Sequence, residues 1–313
     1  MIKGNDIKFT YEKNKSFIEN LDVNIEEGKV TTILGPNGSG KSTLLSILCG
    51  LNKISHGEVW INNKNIKKLS YKSLAKEIAT VHQQNSVPED ITVEELVSYG
   101  RTPHKTYYRG NDDEDIKIVQ WAIEKTGLES LRDKAVMSMS GGERQRVFIA
   151  MALAQKSKVL FLDEPTIGLD ILVKDKIRKA LREINKETDT TVLLTTHDLD
   201  DIEEICNKII VIDKGKKIFD GELSQLKKTY GKERKIIVDI KENIKVDFNK
   251  IENIDKKFIS QTRDEKGKLV ISINSEHINL PNVMNYMFNN YEIKDFTVLE
   301  PQLESIVKKI YEK

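Results

Sequence analysis

Along the chain, apolar positions fall into short continuous runs that alternate with stretches of helical period, from about residue 29 to residue 219. That alternation predicts an α/β domain built on a largely parallel sheet. Three runs, residues 30–34, 159–162 and 192–194 with flanking threonines, are apolar without interruption, the mark of strands buried on both faces. Each gives way to polar or glycine residues, at Gly35, at Asp163-Glu164 and at His197-Asp198. Ligands of open parallel sheets bind beyond the carboxyl ends of the strands, so three distant stretches point chemistry at one edge.

Between these runs, residues 91–134 read as a helical insertion. Thr92 and Glu95 have capping-box spacing, and acids within residues 111–115 precede the periodic Ile116, Val119 and Ile123, where a helix dipole favours negative charge. From about Gly231 the texture changes to Lys-rich alternating strands (residues 235–240, 258–262 and 268–273), a helix (281–290), a strand (292–299) and a last helix after Pro301. The expected division is therefore 1–230 for the main domain, with a helical subdomain at about 85–155, and 231–313 for a small α+β domain with its own core. The chain has no internal repeat.

Composition narrows the picture. At 313 residues, about two domains of ~150 residues are expected. Lys+Arg 50 against Asp+Glu 49 leaves a net charge of +1, so no basic field draws the whole chain to nucleic acid, and none is expected as a partner. With 38% hydrophobic residues and a mean hydropathy of -0.45, no apolar run approaches the ~18 residues of a membrane span. The amino terminus lacks the apolar stretch of a signal peptide, and Cys49 and Cys206 make no paired spacing. A cytoplasmic, reducing location is the expectation.

Gly35-Pro36-Asn37-Gly38-Ser39-Gly40-Lys41-Ser42, followed by Thr43, fits the phosphate-loop pattern G-x-x-x-x-G-K-[ST] without departure, between an apolar strand and an apolar-periodic helix. Chance would produce that pattern in roughly one chain of this length in a hundred. The glycines let backbone N–H groups turn inward as an anion nest, Lys41 supplies a point charge for the β- and γ-phosphates, and Ser42 can ligate Mg²⁺. Asp163-Glu164 supplies a second half. Adjacent side chains leaving a strand point to opposite sides, so one carboxylate can hold Mg²⁺ while the other faces an attacking water.

Met139-Ser140-Gly141-Gly142-Glu143-Arg144-Gln145-Arg146 is similar to the signature motif of ABC-type ATPases and precedes Asp163-Glu164-Pro165-Thr166 in the order of that family. The remaining motifs match one by one over residues 1–221. Tyr11 resembles the aromatic that stacks on adenine, although it also reads as an ordinary strand aromatic. Gln83 resembles the glutamine-loop residue, with Gln84 as the competing register; Gln83 is preferred because His82 then falls where proline is usual. Asp170 resembles the D-loop aspartate, and His197 the switch histidine. On its own residues, Ser140-Gly141-Gly142 makes a helix start running through Arg146, Ile149 and Leu153.

The resemblance implies ATP hydrolysis with Mg²⁺ as cofactor: Glu164 as base, Asp163, Ser42 and Gln83 at the metal, and His197 at the γ-phosphate. It also implies that Ser140, Gly141, Gly142, Glu143 and Asp170 meet ATP held by a second ATPase subunit in a head-to-tail homodimer. Its output would be transport through integral membrane permease subunits, placing the chain peripherally on the inner face of the membrane. DNA-repair members of the family carry long coiled-coil or zinc-bearing insertions, whereas Lys41 and Ser140 are only about a hundred residues apart, without heptads or CxxC pairs. Residues 66–160 resemble ATPases of iron-siderophore, haem and cobalamin importers, the half assigned as 1–165. Residues 166–313 resemble those of drug, antibiotic and lipid exporters, with a C-terminal accessory domain. The importer reading is preferred, because the membrane partner docks beside the glutamine loop and helical insertion; it adds an extracytoplasmic substrate-binding protein.

Overall fold

The strand Val159–Asp163 shows how the central sheet is filled: Leu160 and Leu162 point into one core, Val159 and Phe161 into the other, and all are buried. Val192 and Leu194 divide from Leu193 in the same way, as period two requires. A computed structural model describes residues 1–12, 15–83, 85–105, 113–240, 245–251 and 254–311. It falls into two compact units, Met1–Leu223 and Ser224–Lys313.

In the first unit a six-stranded sheet runs in the order Lys216–Glu222, Lys208–Asp213, Val30–Leu34, Thr191–Thr195, Val159–Asp163, Ile78–Val81. Its pairings are parallel except for the outermost Lys216–Glu222. One core lies between this sheet and the helices Val93–Ser98, Asp113–Lys125, Gly141–Ala154 and Ile171–Thr188. The other lies between the sheet, the helix Lys41–Leu48 and an antiparallel sheet of Ile2–Glu12, Lys15–Ile25, His56–Ile61 and Lys64–Asn65. A parallel core sheet, an antiparallel subdomain and a helical insertion are the arrangement that the residues imply. The helical insertion forms where expected: Thr92 and Glu95 make the full capping box, and acids open the helix Asp113–Lys125. Residues 111 and 112 lie outside the described part.

The second unit is an antiparallel sheet in the order Ile259–Arg263, Leu269–Asn274, Glu233–Ile240, Ile293–Leu299, with the helix Leu280–Asn290 closing a core around Ile271, Val283 and Met287. The compact units divide at Leu223, whereas the change of texture placed the boundary after residue 230. The helix Leu223–Tyr230 looks in sequence like a tail of the main domain. Its end is nevertheless built into the second unit: Gly231 donates to the Lys227 carbonyl at 2.8 Å, and a Cβ on Gly231 would meet Pro301 and Ile306.

Candidate functional site

Val30–Leu34, Thr191–Thr195, Val159–Asp163 and Ile78–Val81 lie side by side in parallel, so their carboxyl ends release Gly35, Thr196, Glu164 and His82 along one edge. At the first of these, the loop turns through Gly40 at φ 107, a conformation that costs glycine nothing, and feeds straight into the helix Lys41–Leu48. The Lys41 ammonium is buried and donates to the carbonyls of Gly35 (2.8 Å) and Pro36 (3.3 Å). Burial lowers its pKa from the ordinary 10.5, against the pull of the nearby Glu164 and Asp163 charges. The Ser39 hydroxyl is buried in the same loop with no hydrogen-bond partner among the described residues.

Ser42 Oγ, on the helix that follows Val30–Leu34, donates to Asp163 Oδ1 at 3.0 Å, although the strand Thr191–Thr195 lies between Val30–Leu34 and Val159–Asp163. That intervening strand ends in Thr195, whose hydroxyl donates to the same Asp163 oxygen at 2.6 Å and accepts the N–H of Glu164 at 3.0 Å. Thr195 therefore fixes both acids, and sequence reading passed it over as a strand flank. A polar residue closing an apolar strand beside two carboxylates is the signal that could have marked it. Glu164 sits at φ 51, a left-handed conformation that a non-glycine residue holds only under such restraint. From there its Oε2 lies 2.8 Å from His197 Nδ1. With Glu164 ionised, the imidazole donates that hydrogen bond.

Tyr11 is 64% exposed, which an ordinary packed strand aromatic would not be. Its hydroxyl shares a hydrogen bond with Thr43 Oγ1 at 2.6 Å, and its ring meets Phe9 and Phe17 edge to face. Gln83 is exposed beyond the strand Ile78–Val81 and makes no hydrogen bond to Ser42 or Asp163 among the described residues; Gln84 lies outside them.

The second group of predicted residues is not brought to this edge. Ser140 and Glu143 form a capping box on the helix Gly141–Ala154, with Ser140 N–H to Glu143 Oε2 at 2.9 Å and Glu143 N–H to Ser140 Oγ at 3.3 Å. Asp170 caps the helix Ile171–Thr188 by accepting from Val173 N–H at 3.0 Å. Among the described residues these caps make no hydrogen bond or ion pair to the phosphate loop, Asp163, Glu164 or His197. The two glycines differ in purpose. A Cβ on Gly141 would meet open space, whereas one on Gly142 would come within 2.7 Å of Val173, so Gly142 is a packing requirement that joins the two caps.

The family model described as ABC transporter matches residues 18–167, and a model of an AAA domain matches residues 135–200. The iron(3+)-hydroxamate import ATP-binding protein FhuC of Bacillus subtilis is 39% identical over 236 residues, covering 74% of this chain and 88% of that protein. The chain belongs to the ABC transporter ATP-binding family. It is also 39% identical to the ferric enterobactin transport ATP-binding protein FepC of Escherichia coli, over 70% of this chain and 81% of FepC. Among solved structures, cbiO1 of Clostridium perfringens, part of the ABC transporter complex cbiONQ, superposes with a TM-score of 0.65 at 35% identity, covering 72% of this chain and 89% of that one. A bacterial ABC transporter cassette solved as a dimer superposes with a TM-score of 0.63 at 32% identity, covering 71% and 99%. As a member of this family the chain is an ATPase whose hydrolysis powers transport. Among its described residues no helix is long and apolar enough to cross a membrane.

Proposed function

We propose that this chain is the ATPase subunit of an importer for iron–siderophore, haem or cobalamin-type cargo, working beneath separate permease subunits at the inner face of the membrane. The observation that carries the direction is the identity to FhuC and FepC, import and transport proteins for iron chelates by name. Those names favour import over the export reading that the sequence of residues 166–313 suggests.

Within the site, Ser39 and Lys41 fit a bound phosphate chain: among the described residues, one offers a buried hydroxyl with no hydrogen-bond partner and the other an ammonium held by loop carbonyls. Ser42 Oγ and Asp163 Oδ1 are hard oxygen donors 3.0 Å apart, the chemistry Mg²⁺ takes, and Gln83, just past the adjacent strand Ile78–Val81, would add a further oxygen. When bound, Mg²⁺ would neutralise charge on the β- and γ-phosphates. Glu164 orients and polarises the attacking water as general base. His197, fixed by Glu164, contacts the γ-phosphate, and the open ring of Tyr11 stacks on adenine. Asn37, Gly38, Gly40 and Thr43 complete the cradle with backbone and hydroxyl donors, while Gly35 and Pro36 shape the loop and hold Lys41 by their carbonyls.

Ser140, Gly141, Glu143 and Asp170 serve the nucleotide of a second copy. What supports this is their placement: Gly141 faces open space, and among the described residues the side chains of Ser140, Glu143 and Asp170 bond only within their own helix caps. A mixing experiment tests the reading. Ser140→Arg subunits and Glu164→Gln subunits should each be inactive alone, and together should recover activity in one of two composite sites. Demonstrated mixed dimers without recovery would show that the site is completed within one chain. Direction is tested by co-purifying the permease and following iron-chelate movement in vesicles; outward pumping would reject the importer.

A further inference from the structure

Behind the catalytic edge lies a buried ionic cluster that the reading above does not use. Asp201 is fully buried, and three donors from three different segments converge on its carboxylate. Oδ2 accepts from Thr166 Oγ1 at 2.5 Å and from Thr196 Oγ1 at 2.9 Å, and Oδ1 accepts from Arg178 Nε at 2.6 Å. Thr166 stands two residues after Glu164, and Thr196 immediately before His197. One oxygen therefore clamps together the two chain segments that carry the hydrogen-bonded pair.

We propose that Asp201 is a positioning residue for hydrolysis, holding Glu164 and His197 in register through Thr166 and Thr196; this rests on the catalytic reading of that pair. Two observations say that such a clamp is needed. Glu164 is held at φ 51, a conformation that persists only where surrounding bonds over-determine it. His197 is largely exposed and bonded to Glu164, so the place of its ring depends on how the two chain segments are aligned. A carboxylate is the group that fits, because one oxygen must accept two hydroxyls while the other faces a buried guanidinium. An amide would leave one acceptor for the threonines and turn N–H groups on Arg178.

Arg178 extends the clamp. It is 4% exposed, belongs to the helix Ile171–Thr188 that Asp170 caps, and also binds Glu204 at 2.9 Å and Asp198 at 3.4 Å. The helix that leads from Asp170 is thus bolted to the catalytic pair by one fully desolvated ion pair. A purely structural cluster would affect melting alone.

The test uses the full chain. Thr166→Val and Thr196→Val each delete one hydroxyl while keeping volume, and Thr166→Ser and Thr196→Ser restore it. We expect each valine variant to lower kcat about tenfold or more, the cost of losing a hydrogen bond to a charged group, with KM for ATP within about threefold and the serine variants near wild type. Asp201→Asn should behave like the valine variants. Valine variants that turn over within twofold of wild type overturn the clamp, whatever their melting temperatures. Glu164→Gln run in parallel separates the two failures: if it is inactive while the valine variants are active, only the clamp falls; if it is fully active, the catalytic reading falls and the clamp with it.

Discussion

His197 Nδ1 and Glu164 Oε2 lie 2.8 Å apart, so the two side chains form one unit whose members hold each other in place. Glu164→Gln keeps the shape of that unit but removes the basic oxygen. Steady-state hydrolysis should fall by about 100- to 10,000-fold, the range of general-base contributions, while ATP still raises the melting temperature. Adding His197→Ala to that variant should change turnover little further, because residues acting as a unit are not additive.

Lys41→Ala should act differently. Removing the ammonium that the loop carbonyls hold takes a charge from the phosphate cradle, so nucleotide binding itself should weaken. Titration of ATP against the variant, followed by thermal shift, should show stabilisation only at much higher concentrations than wild type.

Thr195→Val replaces a hydroxyl that serves two acids by a methyl group of the same shape. The Asp163 carboxylate loses one donor, and the Glu164 N–H keeps only the Thr195 carbonyl at 3.1 Å. Stability should drop by about 1–3 kcal/mol, the cost of a buried group left short of a partner, measurable as a lower urea midpoint with an unchanged slope. The Mg²⁺ concentration needed for half-maximal hydrolysis should rise.

Asp198 carries a pH signature. Burial pushes its pKa upward, but the hydrogen bond and charge of Lys174, the Asp200 N–H and the Arg178 charge outweigh it and hold it below the ordinary 3.8. A carboxyl depressed on folding stabilises the native state above its unfolded pKa, and that contribution is lost as pH falls through the folded value. Lys174→Met should therefore lower the urea midpoint clearly at pH 6–7, with the gap to wild type closing as pH falls below about 4. A gap that stays constant down to acid pH would show that the Lys174 bond at 2.5 Å does not couple to folding.

Much of the site is legible in the residues because its chemistry is local: a phosphate loop is a contiguous run, and so are Asp163-Glu164 and the Ser140 capping box. The helix at Thr92 was readable for the same reason, its cap lying within four residues. What escaped notice depends on side chains meeting across the sheet. The residues around Thr195 do not say that its hydroxyl will join Ser42 on one Asp163 oxygen, because strand order is set by packing of the whole unit. The packing of Gly142 on Val173 is hidden from the sequence likewise, since that partner comes from another helix. The helix Leu223–Tyr230 reads by texture as part of its predecessor because the packing at its end, Gly231 against Pro301 and Ile306, involves residues past 300.

Deleting residues 224–313 should leave a folded chain that ATP still stabilises, by about 2.7 kcal/mol at a hundredfold excess over its Kd. Loss of that stabilisation would place the second unit inside the catalytic machinery.

The central sheet also dictates when the protein can first work. Val30 donates to Asn207 Oδ1, a partner 177 residues away, and the phosphate-loop strand pairs on either side with Thr191–Thr195 and Lys208–Asp213. During synthesis the loop and its helix leave the ribosome early and wait for most of the first unit to follow. Pairings this remote close late and slowly, so the apolar run from Val30 stays exposed to chaperones and to neighbouring chains meanwhile. A nascent chain halted before Lys208 still lacks one of the two strands that flank the phosphate-loop strand, however complete its motifs.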